Sequence, residues 1–530
     1  MSLSGAQLLV QTLISLEVKT IFGYPGASIL SIYEELSKTH IHHILVSHEQ
    51  HAAHAADGYA RSSGQVGICL ATSGPGATNL VTGIATAFMD SSPIIAITGN
   101  VSTALLGKDS FQEIDISGIT MPIVKHSWIV RKSEDIPYII EAAFDLALSG
   151  RHGPVLVNIP QNVLEHEIKS ELEIFTRTKR PVKQNSFSDE DIDRAVEMLI
   201  NASNPVIYAG GGVINAGAGT ELVQIAQRLN VPVALSFMGT AAFPHQHPLY
   251  AGTIGISPSV ALEQADVVCA LGVRFSDRAV RHFSFGKNAK LLHFDIDPAE
   301  INKNFRTDAA VIGNIKETLP KVLERIPDSY RFKSKFQTFL AGSTEIFHAN
   351  EAFGPQYIIE ETARWLGEQA VVVTDVGQHQ LWTAQYYPFS GTQQFLSSGG
   401  LGTMGFGLGA AVGAKIANPA RSVVLFTGDG SFLMNCTELA TLVSYRLPVL
   451  IIIFNNHALG LVKQWQDRFY SGNYTETILK RTLDFVKLAE AFGAAGFRVT
   501  DKNSFINALD KAIPELNTEK PVVIDVILED

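Results

Sequence analysis

The sequence predicts an α/β protein of three domains, each a doubly wound parallel sheet with helices on both faces. Three observations predict it. Short, continuously apolar runs, such as 155–159, 267–271 and 449–454, recur along the chain and alternate with helix-length segments. Runs of that kind are strands buried on both faces. The 530 residues correspond to three or four domains at about 150 residues each. Two charged stretches, 166–188 and 328–352, lack sustained apolar periodicity and divide the chain into 1–166, 188–328 and 353–530.

In order, Leu8, Leu9, Leu13, Ile14 and Leu16 recur at helical spacing. A strand over 20–22, a turn at Gly23-Tyr24-Pro25-Gly26, a helix over about 29–37 and a strand over about 41–46 follow. A helix starts at Glu49. Then come a strand over 66–71, a loop at Ser73-Gly74-Pro75-Gly76, a further helix, and strands over 93–98 and 155–159. The stretch 166–188 holds a proline and reads as a linker. The second domain opens near Asp189 and carries strands over 205–208, 231–235, 267–271 and 291–296. The third carries strands over 371–374, 423–427, 449–454 and 522–527. No short-period repeat or low-complexity segment interrupts them. In such sheets ligands sit at the carboxyl ends of strands.

Composition removes several classes of function. With 46% hydrophobic and 18% charged residues the chain can bury large cores, so it is neither disordered nor fibrous. No apolar run approaches the ~18 residues of a membrane span. The N-terminus lacks the basic head and apolar core of a secretion signal, and Cys69, Cys269 and Cys436 show neither a disulfide framework nor metal spacing. Both features predict a cytoplasmic protein. A net charge of −11 argues against a nucleic-acid surface but leaves room for a local pocket around a phosphorylated cofactor.

Gly428-Asp429-Gly430 follows one apolar strand, and Asn455-Asn456 ends the next, 24 residues later. That spacing is one β-α-β crossover, so Asp429 and Asn456 emerge at neighbouring strand tips. A carboxylate and an amide oxygen form a natural partial shell for Mg²⁺, which leaves its other positions to water and phosphate. The glycines admit close backbone approach, and a helix beginning after Gly430 would offer N–H donors to a diphosphate. Alone, Gly-Asp-Gly reads better as a turn; the Asn pair at crossover distance favours the cation–diphosphate reading. Glu49 lies at a helix start, which favours its ionised form, whereas an apolar crevice would raise its pKa. A carboxylate balanced in that way suits proton sharing. His48, His51 and His54 do not make a zinc motif, because HExxH needs His where Ala52 stands. Residues 400–405 fit G-x-G-x-x-G, a weak fingerprint in a chain with 43 glycines. Gly210-Gly211-Gly212 could admit a dinucleotide at close range or form a flexible turn, and Trp465 reads by default as a packing residue.

The Gly-Asp-Gly to Asn-Asn spacing, taken with Glu49, resembles the thiamin-diphosphate (ThDP) enzyme family over nearly the whole chain. The order is that of the family: pyrimidine-binding, central and diphosphate-binding domains. Within it the chain is most similar to acetolactate (acetohydroxyacid) synthase large catalytic subunits. The matching stretches are Phe22-Gly23-Tyr24-Pro25-Gly26, His48-Glu49-Gln50, residues 56–61, Ser73–Asn79, Phe111-Gln112-Glu113, Lys125-His126-Ser127, Val376–Gln380, Leu459–Val462 and Gln464-Trp465-Gln466. The resemblance implies decarboxylation of a 2-oxo acid such as pyruvate. It also implies carboligation to a second 2-oxo acid, the 2-acetolactate reaction of branched-chain amino acid biosynthesis. Glu49 would hydrogen-bond N1′ of the cofactor pyrimidine, beside Pro25 and Gly26. Met404, next to Gly402, would prop the cofactor so that its rings meet. Asp429, Asn456 and the Ala458 carbonyl would hold Mg²⁺. Gly377, Gln378, His379, Gly428, Gly430, Ser431, Leu459 and Gly460 would line the diphosphate. Phe111, Gln112 and Trp465 would shape the acceptor pocket, with Gln161 at its entrance.

The central domain resembles a domain that binds a largely structural FAD. Its candidate contacts are Arg151, Gly210, Gly211, Gly212, Gly252, Gly272, Arg274, Asp277, Arg278, Asp295 and Ile296. Because Glu49 of one chain meets the diphosphate domain of another in this family, the resemblance implies at least a homodimer, with a regulatory small subunit as a further partner. Several positions depart from the family pattern. Gln161 stands where Lys is usual, Ala27 where Gly is usual, Asn100 where Gln is usual, and Ile256-Ser257 where His is expected. The family's closing C-terminal tail has no counterpart after Asp530. These departures motivate a decarboxylase without ligation as the alternative. A flavin-dependent pyruvate oxidase relative is a third reading. A catalytically silent partner subunit is a fourth, and intact Glu49, Asp429 and Asn456 argue against it.

Overall fold

Three six-stranded sheets organise the computed structural model, which describes residues 2–169, 187–256, 260–277, 288–328, 330, 352–480 and 483–528. After β1 (Ser2–Ser4), the first sheet is built from β2 (Thr20–Gly23), β3 (His42–Leu45), β4 (Gly67–Ala71), β5 (Ile94–Asn100), β6 (Ser127–Ile129) and β7 (Val155–Pro160). Its spatial order is 3-2-4-5-7-6, and every pair is parallel. β8 (Glu167–Lys169) pairs antiparallel with β1. The charged stretch read as a linker therefore begins as a strand, and its continuation over 170–186 lies outside the described residues.

The central sheet contains β9 (Pro205–Ala209), β10 (Val233–Leu235), β11 (Tyr250–Thr253), β12 (Val267–Leu271), β13 (Lys290–Asp295) and β14 (Ala309–Ile312) in the order 11-10-9-12-13-14. The third contains β15 (Val371–Thr374), β16 (Gln394–Leu396), β17 (Val423–Gly428), β18 (Val449–Asn455), β19 (Ala495–Val499) and β20 (Val522–Ile527) in the order 16-15-17-18-20-19. Its pairs from β15 through β19 are parallel. The inner strands are buried along their whole length, as in Gly67–Ala71 and Val449–Asn455, which is why they read as unbroken apolar runs. Most of the second polar stretch, 331–351, lies outside the described residues. Among the described residues no helix is long and apolar enough to cross a membrane.

The three sheets pack into two compact units. One comprises 1–182, 371–379 and 396–530; the other comprises 183–370 and 380–395. The first and third sheets belong to one unit because two helices between them share a single core. The first of these helices runs from Glu49 to Ser63. His48 Nδ1 caps it by accepting the Gln50 N–H at 3.1 Å, and Gly64 ends it in the left-handed region at φ 72°. The second, Gly407–Ala417, is buried almost all round, as befits a helix apolar on every face.

Their contact is made at small residues: Ala55 and Gly58 on one helix meet Gly413 and Ala410 on the other, and both alanines are 0% exposed. A Cβ on Gly58 would collide with the Ala410 carbonyl, and one on Gly413 with the Ala55 carbonyl. The helices therefore meet backbone to backbone. A buried ionic cluster closes one end. Arg61 donates to both Asp57 oxygens at 2.6 and 2.9 Å, to Asp90 Oδ2 at 3.2 Å and to the Ser397 carbonyl at 2.8 Å. Gly413→Ala is expected to cost about 1–3 kcal/mol by overpacking, because the new methyl meets backbone that cannot rotate away. A lowered midpoint of chemical unfolding checks it.

Candidate cofactor site

β17 and β18 are parallel neighbours with Gly428 opposite Phe454, so Asp429 and Asn456 leave the sheet at adjoining tips, as their spacing predicts. The helix after the Gly-Asp-Gly turn begins two residues earlier than expected, at Asp429 instead of after Gly430, and is only five residues long. Asp429 Oδ1 accepts the Gly430 N–H at 2.9 Å. Burial pushes its carboxyl from the ordinary 3.8 to about 6, while the Gly430 N–H and His457 pull the other way. Asn456 Oδ1 accepts the Ala458 N–H at 3.2 Å. The two asparagines divide their work. Asn455 turns into the sheet and donates to Asp525 Oδ1 at 2.9 Å, which leaves Asn456 at the site. Among the described residues no group of three His, Cys, Asp or Glu side chains could hold a metal. A cation here would rest on one carboxylate, an amide oxygen and backbone carbonyls, the hard donors that Mg²⁺ accepts.

Glycines make this corner approachable. A Cβ on Gly460 would collide with Gln378 Oε1 and stand 2.9 Å from Asn456 Nδ2. One on Gly428 would stand 3.1 Å from His379 Nδ1, and one on Gly377 would stand 2.6 Å from His379 Cε1. A Cβ on Gly430 would stand 2.6 Å from Leu459 Cδ2 and 4.0 Å from Met404 Cε. The structure thus brings Gly377, Gln378, His379, Gly428, Asp429, Gly430, Asn456, Leu459, Gly460 and Met404 together. Ser431 Oγ donates to the Val376 carbonyl at 2.9 Å, which ties the short helix to the same loop. His379 is pushed down to about 3 by burial, with a hydrogen bond to the Asp375 backbone acting the other way, so its ring is neutral near pH 7.

Met404 owes its place to Asp375, a residue that motif reading passed over. The Asp375 carboxylate is fully buried and accepts N–H groups from Val376 at 2.8 Å, Gly405 at 2.9 Å and Gly407 at 3.0 Å, and Asn435 Nδ2 at 3.1 Å. Burial raises its carboxyl and the four donors lower it. Asp90 holds the other end of the loop through the Gly399 and Gly400 N–H groups, at 3.2 and 2.8 Å. In the G-x-G-x-x-G match at 400–405, side chains of the protein already claim the Gly400, Thr403 and Gly405 amides. Glycines in the match take positive φ, +71° at Gly402 and +91° at Gly405.

Glu49 gathers a second cluster at the carboxyl edge of the first sheet. Its Oε2 accepts Asn79 Nδ2 at 2.8 Å, and its Oε1 lies 3.2 Å from where a Cβ on Gly76 would stand. Glycine at 76 therefore keeps Oε1 approachable from that side. Pro75 and Gly76, expected in a loop, form the first turn of a helix, Pro75–Asn79. Gly26, beside Pro25, packs so closely on Thr72 that a Cβ would collide with it. Gln112 adopts φ +58° and lies 2.9 Å from the Cβ position of Gly74. Pro25, Gly26, Glu49, Asn79 and Gln112 thus share one edge. The contacts of Glu49 come from the N-terminal sheet and those of Asp429 from the C-terminal sheet.

The acceptor-pocket residues are less gathered. Phe111 is 87% exposed and Trp465 is 39% exposed, so neither lines a closed pocket within one chain. Trp465 lies on the helix Gly460–Phe469, which has no buried residue, and its ring packs edge-on against Phe469 at 5.6 Å. Gln161 opens a short helix after β7 and donates to Glu165 at 2.8 Å.

In the central sheet, order reverses between β9 and β12, the switch point where ligands settle in doubly wound sheets. Gly210, Gly272 and Arg274 follow these two strands, and Asp295 ends β13 beside them with Ile296 next in the chain. The glycine triplet packs closely on its neighbours. A Cβ on Gly210 would collide with the Gly272 carbonyl, one on Gly212 would stand 2.7 Å from Gly272 Cα, and one on Gly211 would stand 3.2 Å from Met238 Cβ. Gly252 has φ +96°. Arg151 belongs to the other unit, where its Nε donates to Ser91 Oγ at 2.8 Å. Arg278 lies outside the described residues, directly after Asp277.

Comparison with known proteins now decides the family. Residues 3–119 match the model of the N-terminal TPP (thiamine pyrophosphate) binding domain of thiamine pyrophosphate enzymes, 192–322 the central domain and 375–526 the C-terminal TPP binding domain. The chain belongs to the thiamine pyrophosphate enzymes. Within them it belongs with acetolactate synthase large subunits. It is 41% identical to acetolactate synthase isozyme 3 large subunit of Escherichia coli (strain K12), over 99% of this chain and 95% of that protein. It is 43% identical to the acetolactate synthase large subunit of Cyanidium caldarium, over 99% and 93% of the two chains. It is 40% identical to the probable acetolactate synthase large subunit of Methanococcus aeolicus, over 99% and 92%.

Asp375→Ala would leave two backbone N–H groups and the Asn435 amide buried without their acceptor. At about 1–3 kcal/mol for each orphaned group, the expected loss is at least about 3 kcal/mol. Denaturant titration checks it, with faster hydrogen exchange at the Gly405 and Gly407 amides as the local signature.

Proposed function

We propose that this thiamine pyrophosphate enzyme is the catalytic large subunit of an acetolactate synthase. It would release CO₂ from one pyruvate and join the remaining two carbons to a second 2-oxo acid. The carrying observation is the pairing of Asp429 and Asn456 at adjoining strand tips, in a chain 41% identical to an acetolactate synthase large subunit over 99% of its length. Bound thiamin diphosphate supplies the electron sink for losing CO₂ from a 2-oxo acid. The protein's own share is binding, orientation and proton placement. Asp429, Asn456 and the Ala458 carbonyl hold Mg²⁺, and Gly377, Gln378, His379, Gly428, Gly430, Ser431, Leu459 and Gly460 surround the diphosphate. Met404 is the apolar prop, fixed by Asp375 through the adjacent Gly405 amide. Glu49 holds a proton at the pyrimidine nitrogen near Pro25 and Gly26 while Asn79 restrains its second oxygen.

In the family this chain belongs to, Glu49 of one copy meets the diphosphate-binding domain of another, and on that resemblance we infer a homodimer as the smallest working form. Phe111, Gln112, Trp465 and Gln161 then select the acceptor. A small subunit is the further partner suggested by the large-subunit names of the relatives. FAD is the ligand we assign to the switch point of the central domain, near Gly252, Gly272, Arg274, Asp277, Asp295 and Ile296. The three domains run over 1–166, 188–328 and 353–530. The second reading, decarboxylation without ligation, is favoured by Gln161, which removes a cation from the pocket entrance.

Incubation with pyruvate, ThDP and Mg²⁺ is expected to yield 2-acetolactate by mass spectrometry. Acetaldehyde and CO₂ alone would select the second reading. Glu49→Gln is expected to cut turnover by about 10²–10⁴-fold, the usual worth of a placed proton donor or acceptor. The Asp429 carboxyl, raised to about 6, must lose its proton before a cation binds. Mg²⁺ affinity should then be level above about pH 7 and fall as the pH drops through about 6. The cation-free chain, conversely, should lose stability as the pH rises from 3.8 to about 6, because the folded state holds that proton more tightly. Calorimetric Mg²⁺ titrations across pH, with Asp429→Asn lacking the slope, check the sign.

A further inference from the structure

We propose that Glu438 is the positioning residue for Glu49, clamping the backbone on both sides of it; this rests on the reading of Glu49 as the catalytic carboxylate. Glu438 is 0% exposed. Its Oε1 accepts the Ser47 N–H at 2.8 Å and meets His51 Nδ1 at 2.9 Å. Its Oε2 accepts Thr441 Oγ1 at 2.6 Å. Ser47 Oγ donates in turn to the Thr437 carbonyl at 2.8 Å. Ser47 precedes Glu49 by two residues and His51 follows it by two. One carboxylate therefore pins the approach to the helix and its first turn at the same atom. His51 must carry its hydrogen on Nδ1 to make this contact.

The anchor reaches across the shared core. Ser47 and His51 belong to the first sheet's side, and Glu438 follows the short Asp429–Leu433 helix of the third. The stretch that presents the Mg²⁺ carboxylate at Asp429 thus also fixes Glu49 of its own chain, nine residues on at Glu438. Glu49's own side-chain tie to Asn79 restrains one oxygen, whereas the Glu438 clamp sets where its Cα stands. A misplacement of about 1 Å at such a group can cost about 10²-fold in rate, so a clamp of this kind is worth a buried charge.

The test combines exchange and kinetics on the full chain. In the cofactor-free protein, Glu438→Ala is expected to speed amide hydrogen exchange over residues 45–52 at least about tenfold. With ThDP and Mg²⁺ it should lower kcat by about 10–100-fold while leaving KM for pyruvate within about threefold. Glu438→Gln should rescue both, because its amide oxygen still accepts from Ser47 and Thr441 can turn its hydroxyl to accept from the amide nitrogen. Should Glu438→Ala not fold, Thr441→Val, which removes the donor at Oε2, is expected to show the same two changes in weaker form. Unchanged exchange over 45–52 in the folded variants would overturn the proposal, as would a KM that rises in step with the fall in kcat. Glu49→Gln separates the two readings. If that variant keeps full turnover, the role of Glu49 fails on its own, while the exchange experiment still judges the clamp.

Discussion

The direct backbone contact between the helices Glu49–Ser63 and Gly407–Ala417 is the constraint on which the rest depends. It fixes the first sheet against the third with almost no side-chain depth to absorb error, since a single methyl on Gly58 or Gly413 would collide with a carbonyl. Everything attached to either helix inherits that precision. Glu49 is the first residue of one, and the Met404 loop runs directly into the other. The polar ends of the contact are satisfied internally, by the Arg61 ion pairs to Asp57 and Asp90 and by the hydrogen bonds of Glu438 to Ser47 and His51.

The site follows the same economy. Its polar groups are buried where they meet other protein groups and left approachable where they face ligand. Asp375 is dry and holds four donors, while Asp429, one strand tip away, is partly desolvated, with backbone donors at Gly430 and His457. Two carboxylates raised by the same cause thus serve different ends: one organises loops, and the other waits for positive charge. His54 repeats the logic inside the helix contact. Burial holds its imidazole well below the ordinary value, with His51 and Arg61 adding to the effect, so it packs as a neutral ring against Phe406.

Much of this was legible in the residues, and the boundary between legible and illegible is physical. Inner strands such as Val267–Leu271 and Val522–Ile527 read correctly because burial on both faces demands unbroken apolar runs. β6, β11, β14, β16 and β19 did not, and each lies at a sheet edge. There one side lacks a neighbour, and runs such as SWI, QFL and AGFRV carry little apolar signal. The Asp429–Asn456 pair was visible because crossover spacing maps onto adjacent tips. Asp375 and Glu438 were not, because their partners lie 30 and 391 residues away, at Gly405 and Ser47, and no local pattern announces such a bond. The one available hint was a carboxylate directly after the apolar run 371–374. The resemblance to ThDP enzymes supplied roles for glycines and Met404 that spacing alone left open, but it was silent on what holds them still.

The shared core also dictates a schedule for synthesis. The small-residue face of the Glu49 helix emerges early from the ribosome, yet its complement is encoded hundreds of residues downstream, beyond the entire central unit. At about 5–20 residues per second, that face waits for tens of seconds. The central unit's main span, by contrast, is translated as one nearly continuous segment. The middle of the message can mature before its beginning, and the nascent first sheet is the interval's point of exposure to aggregation and to chaperones.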